Sequence, residues 1–170
     1  MVSFKEKTIW EGKEYEMEWV DDTNFSKLKN ITQIYGFLFD KNNNFVIVRP
    51  TKARGWRLPG GKIEYGEDWK QALIRESVEE ADVEVYENSL IPFGYIKVTP
   101  LDKGENVHYM LRAFGKIRKI NDQTEDPAEG LVNEREFISY DEFLNYCPWG
   151  KIGKVQLDRA VKLLSLSKLP

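Results

Sequence analysis

The chain is poor in the residues that most often announce chemistry, with a single cysteine, Cys147, and a single histidine, His108, among 170 residues. A lone cysteine excludes an intramolecular disulfide and a cysteine-built zinc site. It reads as an inert buried thiol, and His108, set inside an apolar strand, reads as structural rather than catalytic. No apolar run reaches the length of a membrane span. The opening stretch MVSFKEKTIWEGKEYEMEW lacks the apolar core of a signal peptide, so a cytoplasmic location is expected. Neither sign of charge dominates: the net charge of −3 gives no general pull towards nucleic acid or an anionic membrane. Internal repeats, low-complexity tracts and linkers are also missing. What remains, 41% hydrophobic and 31% charged residues, describes an ordinary globule long enough for one substantial core.

The informative feature is how charge is ordered along the chain. From Arg49 to Ile63 there are five basic residues (Arg49, Lys52, Arg54, Arg57, Lys62) and no acid. From Glu64 to Glu84 there are eight acids and only two bases, Lys70 and Arg75. A cationic, glycine-containing loop therefore runs into an acidic segment. Local signals make that segment a helix. Gly60-Gly61 and Gly66 mark turns, Glu67 and Asp68 suit the positive end of a helix dipole, and no Gly or Pro falls between Trp69 and Ala81. Trp69, Ala72 and Leu73 form one apolar stripe, and Ile74, Val78 and Ala81 a second, which predicts a helix held between two layers.

Glu76, Glu79 and Glu80 fall at i, i+3 and i+4, on one face of that helix and in line with the first stripe. Like charges so spaced repel, by about 0.2–0.5 kcal/mol even on an exposed helix, and burial makes them worse. The competing reading is a solvated acidic face. Against it stand the apolar stripe and the cationic loop, which predict inward carboxylates around a positive partner, and oxygen ligands suit a hard divalent ion such as Mg2+.

Gly61, five residues, Glu67, seven residues, then Arg75-Glu76-Ser77-Val78-Glu79-Glu80-Ala81-Asp82-Val83 resembles the Nudix box of the Nudix hydrolases, and Trp56-Arg57-Leu58-Pro59-Gly60 resembles its usual lead-in. Every charged position matches. Ser77 stands where an aliphatic is usual, and Asp82 where the last glycine is. Asp is one of the few residues that tolerate the left-handed conformation such a glycine adopts at a helix C-terminus.

Elsewhere the pattern is of strands and turns. Residues 7–20 read as a hairpin turning at Gly12-Lys13, either an extension or an edge of the main sheet, and 21–30 as loop. Strands are expected at 31–39, 45–48, 83–86, 91–98, 107–117 and 137–139, with turns at 40–44 and 101–106, and loops over 49–57 and 121–135. Short and long helices are expected at 140–146, with Ser139 as cap, and at 155–166. Hairpins mixed with a few helices give an α+β class. The resemblance implies an α/β/α sandwich, a mixed β-sheet flanked by helices. The expected organisation is residues 1–30 as an N-terminal extension or hairpin of the same domain, and 31–170 as the Nudix-like domain.

The resemblance also implies roles. Glu76, Glu79, Glu80 and the Gly60 carbonyl become metal ligands for Mg2+, with Mn2+ as a substitute. Glu76 and Glu79 become catalytic, and Glu67 with Arg75 a structural pair. The general base is either Glu76 or a loop acid, Glu125, Asp126 or Glu129. Arg49, Arg54 and Arg57 are candidates for substrate phosphates, because guanidinium binds phosphate oxygens bidentately. Tyr65, Phe93, Tyr95, Tyr109 and Trp149 could stack on a base, although core packing is the better expectation for each. The activity implied is magnesium-dependent hydrolysis of a diphosphate bond in a nucleoside diphosphate linked to another moiety. The alternative is a catalytically silent module that binds a nucleotide or an RNA end. An isoprenoid diphosphate isomerase is disfavoured by the position of Cys147. The partner is a small nucleoside diphosphate derivative rather than a membrane or nucleic acid in general, and a homodimer through the N-terminal hairpin is compatible with the pattern.

Overall fold

The computed structural model describes residues 3–10, 12–51, 55–102, 104, 106–127 and 130–167. Alternation of apolar side chains makes the central strands two-faced. In β3 (Ile31–Phe39) and β4 (Phe45–Arg49), Phe37, Phe39, Phe45 and Ile47 face one core, while Ile34, Leu38, Val46 and Val48 face another. A sheet apolar on both faces must be covered on both. Helix α1 (Trp69–Ala81) covers one face, and α2 (Phe143–Tyr146) and α3 (Gly150–Leu166) cover the other. The α+β sandwich with a mixed sheet follows.

The remaining strands are β1 (Ser3–Trp10), β2 (Lys13–Val20), β5 (Gly60–Lys62), β6 (Val83–Val85), β7 (Ile91–Pro100), β8 (His108–Ile120) and β9 (Glu134–Ile138). Their order is β1-β2-β7-β8-β3-β4-β9, with β5 added to β3 and β6 to β8. Pairing is antiparallel except at the centre, where β3 and β8 run parallel with Ile34 opposite Leu111. The N-terminal hairpin is the edge of this sheet: Tyr15, Met17 and Trp19 turn inwards, and Trp19 lies opposite Ile96 of β7. Among the described residues no helix is long and apolar enough to cross a membrane.

Several local expectations need correction. The second stripe of α1 packs only in part, because Val78 is 42% exposed and Ile74 half-buried while Ala81 is buried. The helix seats one side alone, through Ala72, Leu73, Ser77, Glu80 and Ala81. Glu67 and Asp68 precede the helix rather than lying in its first turn: Asp68 is the cap, accepting from the Lys70 and Gln71 amides while Gln71 accepts from the Asp68 amide. The last helix starts at Gly150, not 155. Gly94 sits at a bulge within β7, where an added Cβ would lie 2.3 Å from the Trp19 ring. The region read as loop over 21–30 holds a short 3-10 turn, Phe25–Lys27. The 121–135 loop holds a bridge between Glu125 and Val132. Lys103 and Glu105 of the 101–106 turn lie outside the described residues.

Candidate active site

Two glycines bring backbone against the acidic helix. Gly60 has φ 142°, and a Cβ there would fall 2.2 Å from the Ile34 carbonyl. A Cβ on Gly61 would fall 2.5 Å from Glu76 Oε1. With both side chains missing, β5 lies directly over α1, and the Gly60 amide donates to Glu80 Oε2 at 3.1 Å. The pairing of β5 with β3 fixes this approach, Gly60 opposite Tyr35 and Gly61 opposite Ile34.

The three carboxylates are buried to different degrees. The Glu80 side chain is 7% exposed, Glu76 12% and Glu79 32%. Glu79 is thus only partly inward, against the expectation for the whole trio. Burial pushes the Glu80 carboxyl up to about 7, with Arg57 and the Gly60 amide opposing and Glu76 adding to the rise. Burial also raises Glu76, against the pull of Arg75 and with the help of Glu79.

The positive partners are guanidinium groups that reach further than the helix pattern suggests. Arg75, placed by sequence on a neighbouring face, is a clamp. Its Nε and Nη2 grip Glu67 at 2.8 and 2.9 Å, and Nη2 also meets the Lys62 carbonyl. Its Nη1 donates at 2.9 Å to both Glu76 Oε1 and Glu79 Oε2. The Arg75 hydrogen bond holds Glu67 down to about 2. Arg57 is set by its paired backbone bonds to Val48, and its Nη2 contacts Glu80 Oε1. The Arg57 Nε–H is buried with no acceptor among the described residues.

The C-terminal end of α1 is pinned by contacts that the sequence pattern does not show. Asp82 adopts φ 48°, ψ 40°, the conformation expected where the resemblance has glycine. Its carboxylate also accepts from the Thr124 hydroxyl and amide. Arg135 Nη1 meets the Ala81 carbonyl at 2.8 Å, a cation where the helix dipole favours one. Asn133 Nδ2 joins the Glu80 carbonyl at 3.2 Å to Asp126 at 3.3 Å. Ser77 is fully buried and turns its hydroxyl back to the Ile74 carbonyl.

The other candidates disperse. Arg49 pairs with Glu134 and stacks on Trp56, 5.2 Å from the ring centre. Glu125 is exposed and Asp126 is buried. Arg54 and Glu129 lie outside the described residues. Tyr65 is fully exposed on its turn, so core packing is wrong for it. Phe93 is core, Tyr95 and Tyr109 stack edge to face, and Trp149 packs on Phe143. The Cys147 thiol is buried, donates to the Trp56 carbonyl, and is pushed up to about 12 by burial. His108 begins β8, half-buried.

Among the described residues no three carboxylate, imidazole or thiol groups already converge as a ligand cluster. The donors turn to Arg57 and Arg75 instead. The donor set still fits a hard divalent ion: it is all oxygen, within a turn and a half of helix, under a backbone stripped of Cβ atoms.

The NUDIX domain family model matches residues 30–157. An 8-oxo-dGTP diphosphatase from Proteus vulgaris is 42% identical over 60 residues, which is 33% of this chain and 54% of that protein. The match therefore spans about half the length of that curated relative. Among solved structures, the Bacillus subtilis pyrophosphohydrolase BsRppH superposes with a TM-score of 0.68 at 20% identity, covering 99% of this chain and 98% of its own. A C. elegans Ap4A hydrolase in a binary complex gives 0.59 at 15% identity, covering 81% and 99%. At such identities the structural likeness speaks for the fold alone.

Proposed function

Because the chain belongs to the NUDIX domain family, we propose that it is a Nudix-type pyrophosphohydrolase, cleaving a diphosphate bond in a nucleoside diphosphate linked to another moiety. The observation that carries this reading is the approach of Gly60 and Gly61 to Glu76 and Glu80, which leaves carboxylate oxygens and peptide backbone facing one another with no side chain between them. The names of the relatives, a diphosphatase, a pyrophosphohydrolase and an Ap4A hydrolase, point to the same bond.

In this reading Glu76, Glu79, Glu80 and the Gly60 carbonyl hold Mg2+, or Mn2+ in its place. The ion, when bound, offsets phosphate charge and makes a bound water more acidic. Arg57 turns to the substrate phosphates, its orphaned Nε–H supplying a second donor beside Nη2. Arg49 and Arg54 are the further candidates for phosphate oxygens. Glu76, whose basicity burial raises, takes the proton of the attacking water as the new P–O bond forms and the bridging P–O bond breaks. Glu67 and Arg75 keep β5 and α1 at their spacing. A homodimer would use the β1 edge, where Ile9 is 71% and Trp10 46% exposed; sedimentation as a monomer would remove that part.

The test is phosphate release from a panel of nucleoside triphosphates, nucleotide sugars and dinucleoside polyphosphates, with Mg2+, with Mn2+ and with chelator. Wild type is expected to turn over at least one class only with metal. Glu79→Gln is expected to lose about 100-fold or more, since even residues behind the ligands cost about 10–100-fold. A folded wild type that binds a nucleotide but releases no phosphate with either ion overturns the hydrolase and leaves the silent binding module.

A further inference from the structure

A cleft of about 590 Å³ opens on the α3 side of the sheet. Arg57 and Tyr35 line it, and Arg57 carries it to Glu80. Its other walls come from β1, from the α3 side of the sheet and from the start of α3. The β1–β2 hairpin lies outside residues 30–157, which the family model matches. Met17, Ile96 and Met110 make apolar surface and Trp149 an aromatic one.

The polar floor is unusual. Arg112 interrupts the apolar face formed by Met110 and Phe114 on β8, and is 3% exposed. Its Nε donates to Gln156 Oε1 at 2.6 Å, and its Nη1 to the Leu111 carbonyl at 2.9 Å. The Tyr35 ring centre lies 4.9 Å from the guanidinium carbon. Among the described residues no carboxylate pairs with it, and burial lowers its pKa to about 10. Gln156 is fully buried and spent at both ends, its Nε2 donating to the Ile152 carbonyl at 3.0 Å. Arg112 and Gln156 therefore offer the cleft guanidinium N–H groups and no free acceptor, while Glu6 of β1 lines it with a carboxylate.

We propose that Arg112 selects the base, and that the site prefers guanine or hypoxanthine nucleoside diphosphate derivatives over adenine ones. The proposal rests on the hydrolase reading only for placing the phosphates at Arg57. A guanidinium fork matches two adjacent acceptors, and guanine and hypoxanthine present them as O6 and N7. Adenine turns its N6 amino group against the same donors, and uracil, with its N3–H between O2 and O4, has no adjacent acceptor pair. The methionine and isoleucine walls accept the flat faces of the ring.

Binding of GDP, IDP, ADP, UDP and 7-deaza-GDP by calorimetry in chelator, without turnover, tests this. Wild type is expected to bind GDP and IDP about tenfold or more tighter than ADP and UDP. It should bind 7-deaza-GDP, which has lost N7, about fivefold or more weaker than GDP. Arg112→Lys, which keeps charge but loses the fork, should bring these ratios to within about twofold. Equal binding of all five by wild type overturns the proposal, as does an Arg112→Lys protein of native circular dichroism that keeps the wild-type ratios. The comparison with 7-deaza-GDP needs no variant, so misfolding of the variant leaves a decisive result. Base preference without phosphate release would sink the hydrolase reading and keep this one; phosphate release without base preference would do the reverse.

Discussion

Replacing Arg75 with methionine removes a guanidinium that donates five hydrogen bonds, to Glu67 twice, to Glu76, to Glu79 and to the Lys62 carbonyl. Exposed ion pairs are worth about 0.2–1 kcal/mol, and breaking a buried one costs about 3–5 kcal/mol. The four side chains here are 12–32% exposed, so the loss falls between, at about 2–4 kcal/mol. For a chain of this length that lowers Tm by about 5–15 °C. Urea and thermal unfolding followed by circular dichroism measure it. A second signature is acid sensitivity. Arg75 holds Glu67 at about 2, below its ordinary 4.5. That stabilisation is complete above pH 4.5 and is lost as pH falls towards 2. Arg75→Met should flatten this limb, and Glu67→Gln should flatten it too, with a double variant far from additive. A loss under about 1 kcal/mol, the exposed-pair value, or an unchanged acid limb would refute the clamp.

Gly61→Ala should push the Glu76 carboxylate from its place while barely moving Tm; metal-dependent phosphate release is expected to fall by about 100-fold, and unchanged turnover would contradict the close approach. Gly94→Ala should cost about 1–3 kcal/mol in urea unfolding, because its Cβ meets the buried Trp19 ring and the Val20 carbonyl. Cys147, its thiol pushed up to about 12 by burial, should resist Ellman's reagent at pH 8 and react fully in guanidinium chloride; rapid labelling of the native protein would show the burial to be wrong.

The box helix was legible because its signals are local. A run free of Gly and Pro, acids at Glu67 and Asp68 and a fixed Gly61-to-Val83 spacing need no knowledge of the rest of the chain. The hairpin over 7–20 was legible too, because Tyr15, Met17 and Trp19 alternate with Glu14, Glu16 and Glu18 and face the core. Periodicity misread Val78, since an apolar residue on a helix says nothing about whether a second layer exists to cover it. It began α3 late because Gly150 and Gly153 weaken helix propensity, although Gly153 is required where its Cβ would meet Trp149. Guanidinium reach was the larger gap. Arg75 bends from a neighbouring face to two glutamates, and Arg57 finds Glu80 across 23 residues. Arg112 left a signal that went unused, a charge in the middle of the apolar run Tyr109-Met-Leu-Arg-Ala-Phe114. Gln156, inside a helix of mixed polarity, left none.

The parallel partnership of β3 with β8 has a consequence for synthesis on the ribosome. Residues 31–39 wait for residues 109–116 before they acquire that neighbour, and the N-terminal hairpin reaches the sheet centre only through β7 and β8. Until about residue 120 has been translated, the apolar side of the acidic helix lacks the Leu111 and Ala113 that complete its seat. Long-range pairings of this kind form slowly and leave sticky surface uncovered meanwhile. Nascent chains stalled soon after the acidic helix are therefore clients for chaperones and proteases, whatever the stability of the finished protein.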